Sequence, residues 1–265
     1  MAPLFAAVAH GCAAGRHQEA MDEVYWRRIK RGDEFFSTKK LGLFGSELSA
    51  LSGFFAEPWT TPVDALAEDD KGFVLNAVGF HLRALGRLAE AAQSQRAGLD
   101  MEIAQEDWEN AAQDAGNLSE LHLARGAVAE AVEAARQSVD LADSSGDTFM
   151  RMYVRTTLAD ALHQAGEVKE ATDLFRKAEV MQKERQRECA LLYSFQGFRY
   201  CELLLGRGEH KAVRQRAGKT IEVAHQHLGH LDIALDSLTL GRAALAARGP
   251  DGLEEAERRL DDAVE

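Results

Sequence analysis

Gly218-Lys219-Thr220 carries the side chains that close a phosphate-binding loop, where backbone amides and a lysine surround a nucleotide's phosphates. The full pattern requires a glycine five residues before Gly218, and Val213 stands there. The tripeptide also falls within a helical pattern and not after a strand, so it reads as exposed helix surface. His225, His227 and His230 bring three imidazoles close together. Zinc sites use such groups, but neither an i,i+4 histidine pair nor an HExxH motif is present, and the cluster reads as a polar helix end. His10 and Cys12 project from different helix faces and form no convergent set with His17. No Gly-x-Ser-x-Gly elbow occurs, and no carboxylate pair stands apart from the general acidity. These residues predict no catalysis, no cofactor and no bound metal.

Charge and composition narrow the remaining classes. The chain has 265 residues, 43 acidic and 31 basic, for a net charge of −12. That balance disfavours a phosphate backbone or an anionic lipid surface as the main partner. The one dense basic run, Trp26-Arg27-Arg28-Ile29-Lys30-Arg31, reads as the solvated end of a helix. Cys12, Cys189 and Cys201 are odd in number and lack metal-like spacing. They fit buried apolar roles in a reducing cytoplasm. Pro3 to Ala9 is apolar but too short to span a bilayer, so no membrane association is expected.

The elements that position any site are helices. Only 4 prolines are present, and alanine and leucine dominate. Arg151 to Glu184 reads as two amphipathic helices joined at Gly166. Tyr153, Val154, Leu158, Ala159, Ala161 and Leu162 follow helical spacing in the first; Val168, Ala171, Leu174, Phe175, Ala178 and Met181 do so in the second. Gly166 suits a left-handed residue after a helix end. Leu158-Ala159-x2-Leu162 followed by Ala171-x3-Phe175 resembles the tetratricopeptide repeat (TPR), whose pattern is W-x2-L-G-x2-Y then A-x3-F.

The unit recurs along the chain. Equivalent anchors in the second helices are Ala20, Ala91, Ala131, Ala171, Val213 and Ala256, at gaps of 71, 40, 40, 42 and 43 residues. Turn glycines accompany them at Gly15, Gly86, Gly126, Gly166 and Gly208, and Ser144-Ser145-Gly146-Asp147 turns the chain into the fourth repeat. Gly79 marks a place where two helices must approach closely. A standard TPR repeats every ~34 residues, so each helix pair here is about one turn longer. The predicted fold is all-α, a single TPR-like right-handed superhelical solenoid of antiparallel helix pairs over residues 1–265, with about six repeats. The long first gap holds an inserted or degenerate segment, residues 32–70. Leu41, Phe44, Leu48, Leu51 and Phe55 predict one helix there, stopped at Glu57-Pro58. Six phenylalanines and Trp59 between Phe35 and Phe73 predict that the segment is packed.

The long repeats also resemble the sensor regions of STAND-class signalling ATPases, which include NACHT-type bacterial defence proteins. That resemblance implies a region that senses a ligand or partner and releases an NTPase module; no such module is present in this chain. The first residues and the last, DGLEEAERRLDDAVE, supply no obvious capping helix. They predict either part of a larger protein or a chain that docks end to end with another.

In TPR stacks the first helix of each pair lines a concave groove. Register with the fourth repeat places Asn76, Arg83, Asn117, Glu120, Thr156, Asp160, His163, Arg199, Glu202 and Arg242 on that face, with Arg155 at its rim. Such groups clamp a peptide backbone or carboxylate, or else bond between repeats. Phe80, Phe195 and Phe198 lie nearby as apolar anchors or core. The predicted function is non-catalytic binding of a protein or peptide partner.

Overall fold

The computed structural model describes residues 1–227, 229–246 and 250–263. The chain forms two compact units, Met1–Ala134 and Ala135–Glu265. Their helices follow one another in TPR-like pairs.

The first unit opens with α1 (Ala2–Ala13), which has Pro3 in its first turn, where a missing N–H costs nothing. A second helix starts at α2 (His17–Glu19) and continues with π-type hydrogen bonding over Ala20–Lys30. Ala20 is buried against Gly11, whose missing side chain permits the contact: a Cβ at Gly11 would lie 2.8 Å from that of Ala20. After the inserted segment and its α3 (Phe44–Leu51) come α4 (Glu68–Ala84), α5 (Leu88–Ala104) and α6 (Trp108–Ala124), with α4 packed on α5 and α5 on α6. Asp107 caps α6 by accepting from the Asn110 amide at 3.2 Å. α7 (Val128–Ser145) contains the division between the units.

In the second unit, α8 (Thr148–Gln164) packs on α9 (Val168–Arg185), and α10 (Ser194–Gly206) contacts α8, α9, α11 (His210–His227) and α12 (His230–Ala246). α12 in turn packs on α13 (Pro250–Asp262). Asp147 caps α8 through the Met150 amide at 2.6 Å.

All six anchors, Ala20, Ala91, Ala131, Ala171, Val213 and Ala256, are buried. Gly15, Gly86, Gly126 and Gly208 share a φ of 75°, and Gly166 has 83°, the left-handed residue that closes each first helix. At Gly79 a Cβ would lie 2.7 Å from the Gln95 Cγ, so glycine there sets how closely α4 and α5 approach.

The segment 32–70 is packed, but its helix is shorter than its apolar spacing predicts. α3 ends four residues before Phe55 and gives way to a 3-10 turn, Ser52–Phe54. Phe55 instead begins β1 (Phe55–Glu57), which pairs antiparallel with β2 (Thr61–Pro62). The cause is long-range: Gly53 lies against Cys12, with room for a Cβ only at 3.0 Å from its sulfur, and Trp59 turns the hairpin at φ 68°. Leu48, Leu51 and Phe54 are buried, and α3 packs on α1 and α4. The spacing of the last helix pair also predicts a longer turn through Gly249-Pro250, which falls partly outside the described residues.

Candidate binding face

The first-helix residues singled out by their register are mostly engaged with one another. Arg83 on α4 meets Glu120 on α6 at 3.3 Å. Asp160 on α8 meets Arg199 on α10 at 3.3 Å, and Glu202 on α10 pairs with Arg242 on α12. Asn76 donates to Asp114 at 2.7 Å, and Asn117 accepts from Gln113 at 3.1 Å. The ion pairs and the Asn76 bond link successive first helices, the inter-repeat role that their spacing allowed.

Others lie inside. Thr156 is fully buried and donates to the Tyr153 carbonyl at 2.7 Å, a bond that a mid-helix threonine makes when it has no outer partner. Arg155, expected at a rim, is also buried: its guanidinium grips both Asp143 oxygens, at 2.8 and 2.7 Å, and the Arg151 carbonyl. Burial pushes the Asp143 carboxyl up, but hydrogen bonds from Arg155 and Arg151 outweigh it and hold it below its ordinary range. His163 is half-buried, and its Nδ1 has no hydrogen-bond partner.

Two adjoining recesses open on α4, sharing Phe73 and Asn76 in their walls. One, of about 300 Å³, is acidic. Asp69 and Asn76 from α4, Glu102 from α5, Asp107 from the following turn, and Asn110, Gln113 and Asp114 from α6 surround it. Glycines make the space: a Cβ at Gly72 would lie 2.5 Å from a Glu102 oxygen, and one at Gly98 would lie 3.0 Å from Asp114. Burial, then the neighbouring Glu102 charge, push the Asp114 carboxyl up to about 7 against the Asn76 hydrogen bond. Glu102 is raised too, by burial and then by Asp107 and Asp69. Such a site favours a cation and amide groups, as in a basic side chain on an extended backbone.

The second recess, of about 420 Å³, is aromatic. Phe35 and Phe44 of the inserted segment close it over Phe73, Ala77 and Phe80 of α4. Tyr25, Glu47 and His81 stand behind it. The Tyr25 hydroxyl donates to Glu47 at 2.5 Å, and His81 Nε2 lies 3.6 Å from the same carboxylate oxygen. Lys30 enters from the π-helix and is 3 % exposed. The basic run therefore does not behave as one solvated end: Arg27, Arg28 and Arg31 are exposed, while Lys30 turns inward beneath Trp26, Phe35 and Phe73. Neither recess was legible as a site. The carboxylates of the first come from three helices and a turn, and the second joins residues 25 and 30 to 35–47 and 73–81. The nearest signal was Glu47, a lone acid in the apolar stretch FGSELSAL.

The other motifs do not converge. Gly218-Lys219-Thr220 lies in α11, where Thr220 is buried and donates to Asp236 at 2.9 Å while Lys219 is exposed. Among the described residues no group of three metal-ligating side chains occurs; the His227 side chain lies outside them. No described helix is long and apolar enough to cross a membrane. Phe80 and Phe195 are exposed, and Phe198 is half-buried.

No known family model matches the sequence, and none of the curated proteins does. Solved structures do. A kinesin-light-chain-like protein of nearly identical TPR-like repeats from Podospora anserina aligns with a TM-score of 0.53, at 17% identity, over 73% of this chain and 94% of its own. A single-substitution variant of that protein aligns with a TM-score of 0.57, at 16% identity, over 74% of this chain and 96% of its own. The likeness is one of fold: both are stacks of TPR-like helix pairs.

Proposed function

We propose that the chain is a non-catalytic protein-interaction scaffold which holds an extended, basic segment of a partner on the first-helix face of its N-terminal unit. The observation that carries this is the acidic recess. Carboxylates from three consecutive helices converge there beside Asn76, Asn110 and Gln113, and Asp114 is held up to about 7 with no cation near enough to lower it. A lysine or arginine side chain entering the recess supplies the missing charge. The amides then pair with the backbone on either side of it. Elsewhere on the first helices, Glu120, Asp160 and Glu202 are each already paired with an arginine. The recess thus offers carboxylates that no cation among the described residues has taken up.

The test is fluorescence polarisation with labelled ten-residue peptides of graded charge. Peptides bearing arginine should bind, acidic peptides should not, and a Glu102→Gln/Asp114→Asn variant should weaken binding by about tenfold or more. Equal affinity of parent and variant for every peptide would sink the proposal. A second reading keeps the face and makes the chain the partner-sensing region of a STAND-type signalling ATPase. The repeat period of 40 to 43 residues favours it. An NTPase module encoded in the same open reading frame decides that reading.

A further inference from the structure

The aromatic recess contains two ammonium groups that no carboxylate among the described residues meets at ion-pair distance. Lys30 is 3 % exposed, yet its ammonium has one conventional acceptor, the Gly32 carbonyl at 2.8 Å. The rest of its surroundings are ring faces: Phe35 at 3.9 Å, Trp26 at 4.1 Å and Phe73 at 5.5 Å from their centroids. A second ammonium, that of the exposed Lys39, sits 4.5 Å from the centroid of the same Phe35 ring. Among the described residues neither ammonium has a carboxylate within 4.0 Å.

Buried charges in folded proteins are normally paired, because removing an ammonium from water is costly. Ring faces offset only part of that cost. Glu47, one of the two carboxylates whose charge reaches Lys30, is turned to Tyr25 and His81. Its second oxygen and His81 Nε2 are themselves buried, with no hydrogen-bond partner among the described residues. Burial pulls the Lys30 ammonium below its ordinary pKa, Asp33 and Glu47 oppose this, and Lys39 adds to it. The local balance at the recess surface is thus cationic within a chain of net charge −12.

The backbone is built to hold this arrangement. Arg31 and Phe35, on either side of the turn after Lys30, adopt left-handed φ of 58° and 48°, which residues with side chains take up only when their surroundings require it. That turn folds Phe35 back over the lysine. The recess beyond it, at about 420 Å³, falls in the size range of small-molecule sites.

We propose that this recess binds a small organic anion. Its flat apolar body, roughly ten to twenty heavy atoms for a cavity of this size, lies among Phe35, Phe44, Phe73 and Phe80, and a single carboxylate or sulfonate meets Lys30 and Lys39. The site differs in charge from the acidic recess and shares only Phe73 and Asn76 with it, so a small anion and a basic protein segment occupy neighbouring places on α4. The shared wall, Phe73 and Asn76, is where one would influence the other.

Two dyes that differ in one group test this on the full chain. 1-Anilinonaphthalene-8-sulfonate has the apolar body and the anion; N-phenyl-1-naphthylamine has the body alone. The sulfonate dye should bind saturably at one site per chain and be displaced by 2-naphthoate. Lys30→Met and Lys39→Gln should each weaken it about tenfold while changing the neutral dye by no more than about twofold. Phe44→Ala should weaken both. Lys39 is exposed, so its variant keeps the test sharp even if Lys30→Met unfolds the first unit; far-ultraviolet circular dichroism reports that. Equal affinity for the two dyes, or sulfonate binding unmoved by Lys39→Gln, overturns the anion assignment. Failure of both dyes to saturate overturns the recess as a site, and leaves the peptide result at the acidic recess standing by itself.

Discussion

Asp114 illustrates how one buried carboxyl couples stability to pH, and through it to the proposed binding. Its carboxyl is raised to about 7 by burial and by Glu102, with Asp69, Asp107 and the Asn76 amide completing its surroundings. In the unfolded chain it titrates near ~4. Between those values the folded state holds a proton that the unfolded state has lost, so stability falls as pH rises from about 4 to 7, and the loss is complete above that. Asp114→Asn removes the loss and keeps an acceptor for Asn76. Its melting temperature should exceed the parent's by a few degrees at about pH 8, as expected for a change of ~1–2 kcal/mol in a domain of this size, and match it near pH ~4.5. Scanning calorimetry at the two pH values checks this; a constant difference would contradict the titration. Binding of an arginine peptide should run the other way, strengthening as pH rises through about 7 while Asp114 becomes charged.

Between elements, the structure relies on small contacts repeated at each pair. At Gly166 φ is 83°, so Gly166→Ala should cost ~1 kcal/mol from left-handed strain, with no change in the helix content of the folded state. Gly79→Val acts differently. It pushes a side chain into Gln95 between α4 and α5, and should cost ~1–3 kcal/mol by overpacking. Urea denaturation followed by circular dichroism separates the two. The ion pairs between first helices should grade with burial. Asp160 and Arg199, at 16% and 14% side-chain exposure, should show a larger coupling in a double-mutant cycle, ~1–2 kcal/mol, than the more open Glu202 and Arg242, under ~1 kcal/mol. Equal couplings would mean that the surrounding dielectric is uniform along the face.

For the molecule as a whole, charge sets what it meets. A net charge of −12 repels a polyanion at long range, and the one dense basic run has Lys30 buried. The full chain should not retard duplex DNA in a gel-shift experiment at about 150 mM salt. A retarded band there would require a basic surface that the described residues do not show. The two units, Met1–Ala134 and Ala135–Glu265, each contain their own sets of packed helices. The recesses described above belong to the first. The second carries polar links of its own, such as the buried bond from Thr220 to Asp236 and the half-buried pair of Glu179 with Arg216, whose guanidinium lies over Tyr200.

The repeat architecture was legible in the sequence because it is written in short-range rules. Gly166 needs only its own φ, and Ala171 needs only its place on one side of a helix, so turn and anchor recur at gaps of 40 to 43 residues after the insertion and can be read by counting. The helix expected to reach Phe55 shows where counting stops: Cys12 against Gly53, distant in sequence, ends it early. The first-helix residues were placed on their face by spacing, but spacing does not say whether Asp160 faces a ligand or Arg199. The recesses depended on tertiary structure alone. Glu102 and Asp114 become a site when α5 and α6 stack, and Lys30 loses its solvent only when Phe35 folds back and Phe73 arrives from α4. Burial, and with it the unanswered charge that defines a binding site, is a property of distant segments meeting, and no local pattern contains it.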